Sequence, residues 1–226
     1  MSLSIIVPML NEEAGIGATL SGLRELGAEI IAVDGGSTDK SLETARTHAD
    51  QVVQSPRGRA RQMNAGAAVA NGDILLFLHA DTTLPPAANQ LIAQAIADGA
   101  DWGRFDVRIS GNSIWFPIIA AFMNQRSRLT GIATGDQAIF VKRSVFEQVG
   151  GFPDLPLMED IVLSQRLKHL SRQACLRAKA TTAGRRWEKH GVLRTILTMW
   201  WLRLRFFFGA DPKQLAIEYG YAPNAQ

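Results

Sequence analysis

A single cysteine, Cys175, is all that 226 residues offer. The chain can therefore close no internal disulfide and build no cysteine zinc cluster, which excludes a disulfide-stapled secreted scaffold and favours a reducing compartment. Long apolar runs are lacking too. The most hydrophobic late stretch, residues 192–208, is broken by Arg194, Arg203 and Arg205 and at 1.5 Å per residue reaches only roughly 26 Å, a poor membrane span. The N-terminus enters Ile5-Ile6-Val7 without a basic segment or a small-residue cleavage site, so no export signal is read. Neither GxxxxGK[ST] nor GxGxxG occurs, which leaves out a P-loop and a dinucleotide fingerprint. With no aromatic RNA-binding signature and no zinc finger, a nucleic-acid partner is not expected.

What is present suits one compact domain: 46% hydrophobic and 20% charged residues, enough to bury a sizeable core. The net charge of +3 conceals an asymmetry. Residues 1–100 carry 6 Lys and Arg against 11 Asp and Glu, whereas residues 101–226 carry 18 against 10, so the two halves are expected to do different work. Arginine supplies 18 of the 24 basic side chains, and its planar fork suits bidentate phosphate contact.

Through the first hundred residues, short apolar runs alternate with amphipathic ones. Residues 3–7, 30–33, 51–53 and 74–78 read as buried strands, and residues 12–26, 39–48 and 59–71 as helices. Gly27, Asn71-Gly72 and Gly99 read as stops. The alternation predicts an α/β fold with a parallel sheet, its ligands bound beyond the carboxyl ends of the strands. Farther on, residues 102–109 and 138–141 read as strands and residues 114–128, 158–169 and 191–208 as helices, before a short last helix to about residue 220.

The chemistry-bearing residues fall at those strand ends. Pro8-Met9-Leu10-Asn11-Glu12-Glu13 follows the first strand, and Asp34-Gly35-Gly36-Ser37-Thr38-Asp39 the second. Gly35 and Gly36 would let a flat ligand approach the backbone. Asn11, Thr38 and Asp39 equally suit helix capping, whereas Asp34 ends an apolar strand and caps nothing obvious. Arg57-Gly58-Arg59-Ala60-Arg61-Gln62-Met63-Asn64 puts arginines at a helix start, a ready anion site unless it is merely a solvated basic turn. The fourth strand leads to His79-Ala80-Asp81, where alternate residues face one side. A carboxylate there can share a hard divalent ion with substrate phosphates. Gly135-Asp136 precedes a strand, and Glu159-Asp160 opens a helix, where the dipole favours acids whatever the function.

Taken together, these segments, with Asn64-Ala65-Gly66 and Gly150-Gly151-Phe152, resemble an inverting family 2 glycosyltransferase of the GT-A fold, of the small non-processive bacterial type. The resemblance covers roughly residues 3–170 and rests on the order of six motifs. It implies a mostly parallel sheet flanked by helices. It also implies that Pro8, Glu12 and Asp34 line a nucleoside pocket, that Asp81 binds Mn²⁺ or Mg²⁺ through a diphosphate, and that Asp160, next to Glu159, is the general base. Asn11, Gly35, Arg57, Arg61, Asn64, His79, Gly135 and Asp136 join the candidate substrate-binding residues. A UDP-sugar is the donor that the resemblance favours.

Two departures stand out. The family's Asp-x-Asp begins here with His79, leaving Asp81 as the one expected protein ligand to the metal. Of the Gln-x-x-Arg-Trp segment of processive synthases only Arg186-Trp187 survives; it could cover the diphosphate or be an ordinary surface loop. The sequence divides into residues 1–190, the transferase unit, and residues 191–226, a helical extension. Residues 161–226 carry 12 Lys and Arg against 3 Asp and Glu, and the Trp-rich, Arg-fringed helix 191–208 suits an anionic membrane surface, the protein body or a homodimer. A cytoplasmic protein, peripheral on the inner membrane face, is the expectation. Trp115, Phe116 and Phe122, in the variable region 108–135, suit an apolar or lipid-linked acceptor or a core helix. A non-catalytic nucleotide-sugar-binding scaffold and a nucleotidyltransferase are the competing functions.

Overall fold

A computed structural model describes residues 1–221, with the side chain of Arg186 outside the described set. The chain opens with β1 (Leu3–Met9), α1 (Ile16–Leu23), β2 (Glu29–Asp34), α2 (Ser41–His48), β3 (Gln51–Gln54), α3 (Arg59–Val69) and β4 (Ile74–Phe77). It continues with β5 (Thr82–Thr83), α4 (Ala88–Ala97), β6 (Trp102–Ser110), α5 (Phe116–Thr130), β7 (Ile139–Lys142) and α6 (Arg143–Gln148). It ends with α7 (Glu159–Leu170), β8 (Ala174–Ala183), α8 (Arg185–His190), α9 (Val192–Phe207) and α10 (Pro212–Glu218).

The eight strands form one sheet in the order β3-β2-β1-β4-β7-β6-β8-β5. β3, β2, β1 and β4 run parallel, as the alternation predicts. Their near-continuous apolar runs are buried on both faces by helices. Past β4 the sheet turns mixed: β7 is antiparallel to both β4 and β6, β8 is parallel to β6, and β5 is antiparallel to β8. One core lies against α1 and α4 and a second against α3 and α7.

The first helix starts later than its pattern predicts, at Ile16, because Asn11 takes a left-handed φ of 54° and the segment after it is bonded to the next loop. Its last residues tighten into a 3₁₀ turn, Arg24–Leu26, closed by left-handed Gly27. β5, α4, α6, β8 and α8 were not among the predicted elements. β8 lies within the basic stretch 161–226, between the helices expected at 158–169 and 191–208.

β6 and α5 are tied by a buried polar cluster. Arg104, fully buried, pairs with Asp106 and donates to Ser127 Oγ and the Asn124 carbonyl, both at 3.1 Å. Asn124 in turn clamps both backbone groups of Val107. α9 packs its inner face, through Val192 and Ile196, on Phe116 and Ile119 of α5. Leu202, farther along, meets Leu157, Met158 and α10. The body therefore covers one face of α9, and among the described residues no helix is long and apolar enough to cross a membrane.

Candidate functional site

The carboxyl ends of β1 and β2 are locked together before any ligand is considered. Asn11 Oδ1 accepts from Thr38 N–H at 2.9 Å, and Ser37 Oγ accepts from Asn11 N–H at 3.0 Å. Asp34, 1% exposed, accepts from the Gly36 and Ser37 N–H groups at 3.1 Å. It therefore caps its own turn, contrary to the sequence expectation, because an aspartate at a strand end can fold back onto the following amides. The space above Gly35 is filled by Gln62, within 2.9 Å of where a Cβ would stand, rather than open to a flat ligand. Gln62 Nε2 donates to the Met9 and Val33 carbonyls at 2.8 Å, fixing the two strand tips.

Beyond these tips lie two joined cavities of about 260 and 290 Å³. The smaller is lined by Pro8, Gln62 and Tyr221, and the larger by Asp136, Glu159, Asp160, Trp187 and Arg203; Glu12, Arg59, His79 and Asp81 border both. Sequence-predicted Pro8, Glu12, His79, Asp81, Gly135, Asp136, Glu159, Asp160 and Trp187 are thus brought together. Asn11, Asp34, Gly35, Arg57, Arg61 and Asn64 stand outside the two linings. Arg61 pairs with exposed Asp154 at 2.8 Å, Asn64 clamps the Phe152 backbone, and Arg57 lies over the Tyr221 ring at 5.5 Å. The predicted Arg186 side chain falls outside the described set.

Within the larger cavity Asp160 is held from two sides: Oδ2 accepts from Gly135 N–H at 2.9 Å and Oδ1 from Ile161 N–H at 2.7 Å. His79 Nδ1 lies 3.3 Å from Asp136 Oδ1. Asp136 keeps 37% of its side chain open to the cavity. Burial alone would raise its pKa, but the His79 hydrogen bond and the charges of His79, Arg59 and Arg203 hold it below the ordinary value. Glu159 is 3% exposed and shifts upward, through burial first and then Asp160, against the opposing charge of Arg59 at 3.8 Å. Burial works against the Arg59 charge in its turn, yet the surrounding carboxylates, Glu159 foremost, raise its pKa. Three of the four non-glycine residues with positive φ among the described residues, Asn11, Ala138 and Met158, flank this region, as expected where backbone strain is kept for a site.

Sequence reasoning missed Arg185. β8 pairs with β5, and Ala183 N–H donates to the Asp81 carbonyl at 3.2 Å, which brings Arg185 over the mouth. Its Nη2 stands 3.3 Å from Glu12 Oε2 and 3.7 Å from Asp81 Oδ2. A cation thus already bridges the two carboxylates. Among the described residues no group of three or more His, Cys, Asp or Glu side chains could enclose a metal. Glu12 and Asp81 offer two hard carboxylate donors at this mouth, a set to which a hard divalent ion could be added only with oxygens from phosphate and water.

A family model described as Glycosyl transferase family 2 matches residues 4–150. The chain is 27% identical over 195 residues to a probable glycosyltransferase, YdaM, of Bacillus subtilis, covering 74% of this chain and 46% of that protein. It is 29% identical over 164 residues to the undecaprenyl-phosphate 4-deoxy-4-formamido-L-arabinose transferase of Pseudomonas paraeruginosa, covering 64% and 48%. The chain thus spans about half the length of these two relatives. Among solved structures it resembles S. aureus TarS 1–349 in complex with UDP-GlcNAc (TM-score 0.62, 21% identity, 81% of this chain and 58% of that one). It also resembles the mannosyltransferase PcManGT of Pyrobaculum calidifontis in complex with GDP-Man and Mn²⁺ (TM-score 0.63, 20% identity, 79% and 56%). These likenesses show the fold, a mixed α/β GT-A architecture.

Proposed function

The chain belongs to glycosyl transferase family 2, and from that premise we propose that it moves a sugar from a nucleoside-diphosphate donor to an acceptor hydroxyl with inversion at the anomeric carbon. The observation that carries the reading is the placement of Asp81 and Asp160. Both line the larger cavity, but only Asp81 borders the smaller one as well, beside Pro8 and Glu12. The nucleotide then occupies the smaller cavity, its diphosphate lies at Asp81 and Arg185, and the sugar reaches toward Asp160. A UDP-sugar is the first donor to test.

In this arrangement the Asp160 carboxylate takes the proton of the acceptor hydroxyl as that oxygen bonds to the anomeric carbon. The bond from that carbon to the diphosphate breaks, and the nucleoside diphosphate leaves with the electron pair. The Gly135 and Ile161 N–H groups hold the carboxylate in one orientation, leaving its remaining lone pairs for the acceptor. Glu159 positions Arg59, whose fixed charge faces the incoming phosphates. Asp81, with Glu12 beside it, would hold Mn²⁺ or Mg²⁺, which when bound neutralises charge on the leaving group.

The outer face of α9 supports a location for this chemistry. Leu193, Leu197, Trp200 and Trp201 are each more than half exposed there, on a segment that also carries Arg194 and Arg205. An anionic membrane surface fits that charge and those aromatic residues, and would suit a lipid-linked acceptor.

Calorimetric titration with UDP, GDP, ADP and TDP, each with Mn²⁺ and with EDTA, tests the donor assignment. One nucleotide should bind the wild type with metal and lose that binding in Asp81→Ala. Asp160→Asn should keep nucleotide binding and lose transfer by about 100-fold or more. Persisting turnover in Asp160→Asn would remove it as the base, and no nucleotide binding at all would point to a scaffold instead.

A further inference from the structure

The smaller cavity takes part of its wall from the far end of the chain. Pro8, Met9, Leu10, Gln62 and Ala80 line it from the strand ends and from α3, and Tyr221 lines it from beyond α10. None of these six lines the larger cavity, so they surround the end of the smaller one that lies away from the shared border at Asp81. Among the described residues Tyr221 is the only Phe, Tyr or Trp in that wall.

The place of Tyr221 is fixed by the way α10 ends. Gly220 takes a left-handed φ of 82° and donates its N–H to the Ile217 carbonyl at 2.9 Å, while Tyr221 N–H donates to the Ala216 carbonyl at 2.8 Å. These two bonds together close a helix at glycine and turn the following residue back against the last turn. α10 is itself anchored. Leu215 and Ala216 are fully buried in a cluster with Leu157, Met158 and Leu202, against which Tyr221 also packs. The ring has a second hold: the guanidinium carbon of Arg57 lies over it, 5.5 Å from its centre. Arg57 is absent from the cavity lining, so the cation backs the ring from outside the cavity and biases it toward one orientation.

We propose that Tyr221 is the platform on which the base of the donor nucleotide stacks, and that Arg57, behind it, is a positioning residue for that ring. The inference rests on the transferase reading for the identity of the ligand. With the diphosphate at Asp81, the base falls at the end of the smaller cavity where Tyr221 stands. Every nucleobase has a π face to offer an aromatic ring, whatever its hydrogen-bonding edge. Arg57, which touches neither cavity, acts on the ligand through Tyr221. The segment after residue 190 then completes the donor pocket instead of being a mere extension of it.

Titration of the full chain in the presence of Mn²⁺ tests this without requiring turnover. The probes are UDP, GDP, ADP and TDP, and inorganic pyrophosphate, which keeps the charged end and lacks the base. Tyr221→Leu should weaken the nucleotide that the wild type binds about tenfold or more and leave pyrophosphate affinity unchanged. Tyr221→Phe, which keeps a ring, should recover most of that loss. Arg57→Gln should weaken the same nucleotide about threefold, Arg57→Lys should restore it, and neither should matter once residue 221 is leucine. Unchanged nucleotide affinity in Tyr221→Leu, or equal loss of nucleotide and pyrophosphate, would overturn the stacking role and leave the donor reading standing. No nucleotide binding by the wild type would overturn both.

Discussion

Gly135 donates its N–H to Asp160 Oδ2 at 2.9 Å, and a Cβ on Gly135 would stand 2.2 Å from Nε2 of His79. One backbone position therefore orients the proposed base and seats the histidine that faces Asp136. Gly135→Ala should push the His79 ring or the 3₁₀ turn Gly135–Gln137 aside and carry Asp160 with it. A shift of about 1 Å at reacting groups can cost 100-fold, so kcat should fall by about that factor. Nucleotide affinity should fall less than kcat, because of the residues that line the neighbouring cavity His79 alone is displaced while Pro8, Glu12 and Gln62 stay in place. Steady-state kinetics beside a UDP titration decide it: a fall in nucleotide affinity matching the loss in kcat would show that the turn holds the donor instead.

At the opposite end of the sheet, Glu29 accepts from Gln51 Nε2 at 2.9 Å, Asn71 N–H at 2.8 Å, Asn71 Nδ2 at 2.6 Å and the Ser4 hydroxyl. Burial would raise its pKa, but these donors together hold it below the ordinary value. Glu29→Gln turns one acceptor into a donor among donors and should cost about 2 kcal/mol. The sign with pH follows from the lowered pKa. The stabilisation is fully present above the unfolded value of 4.5 and is lost as pH falls through the lower folded value. Urea melts of both proteins at several pH values should show a gap at pH 7 that narrows as the pH falls below 4.5.

Gly66 on α3 faces the sheet where a Cβ would lie 2.5 Å from Ile6 Cγ2 and 2.9 Å from Val33 Cγ2. Both neighbours are fully buried side chains on β1 and β2 and have nowhere to move. Gly66→Ala should therefore destabilise by about 1–3 kcal/mol despite the better helix propensity of alanine. Thermal unfolding should show a Tm lower by several degrees. An unchanged Tm would mean that α3 can slide away from the sheet.

The parts of this molecule legible in its sequence are those decided locally. β1, β2 and β4 are apolar runs that no other element could accommodate, and their ends placed the site. β8 escaped because its burial alternates irregularly along a mixed sequence. Its pairing with β6 and β5 is set by strands about 70 and 100 residues away. Arg185 was missed for the same reason, since its reach to Glu12 depends on where β8 ends. Asp34 was misjudged as capping nothing because its partners, the amides of its own turn, exist only once the turn is folded.

The outer face of α9 makes the last prediction. Trp200 and Trp201 are 69% and 57% exposed and stand with Leu193, Leu197 and Leu204, while Thr195 and Leu202 turn inward. A tryptophan gains most at the headgroup boundary, where its ring meets acyl chains and its N–H meets water. Cosedimentation with phosphatidylserine-containing vesicles should retain the wild type, with binding weakening as salt screens the arginines. Neutral vesicles should retain much less. Trp200→Ser combined with Trp201→Ser should lower partitioning about tenfold or more, yet leave UDP affinity unchanged because neither residue lines the cavities. Failure to sediment with any vesicle, together with a dimer that this double variant dissociates, would instead assign the same apolar face to a second copy of the chain.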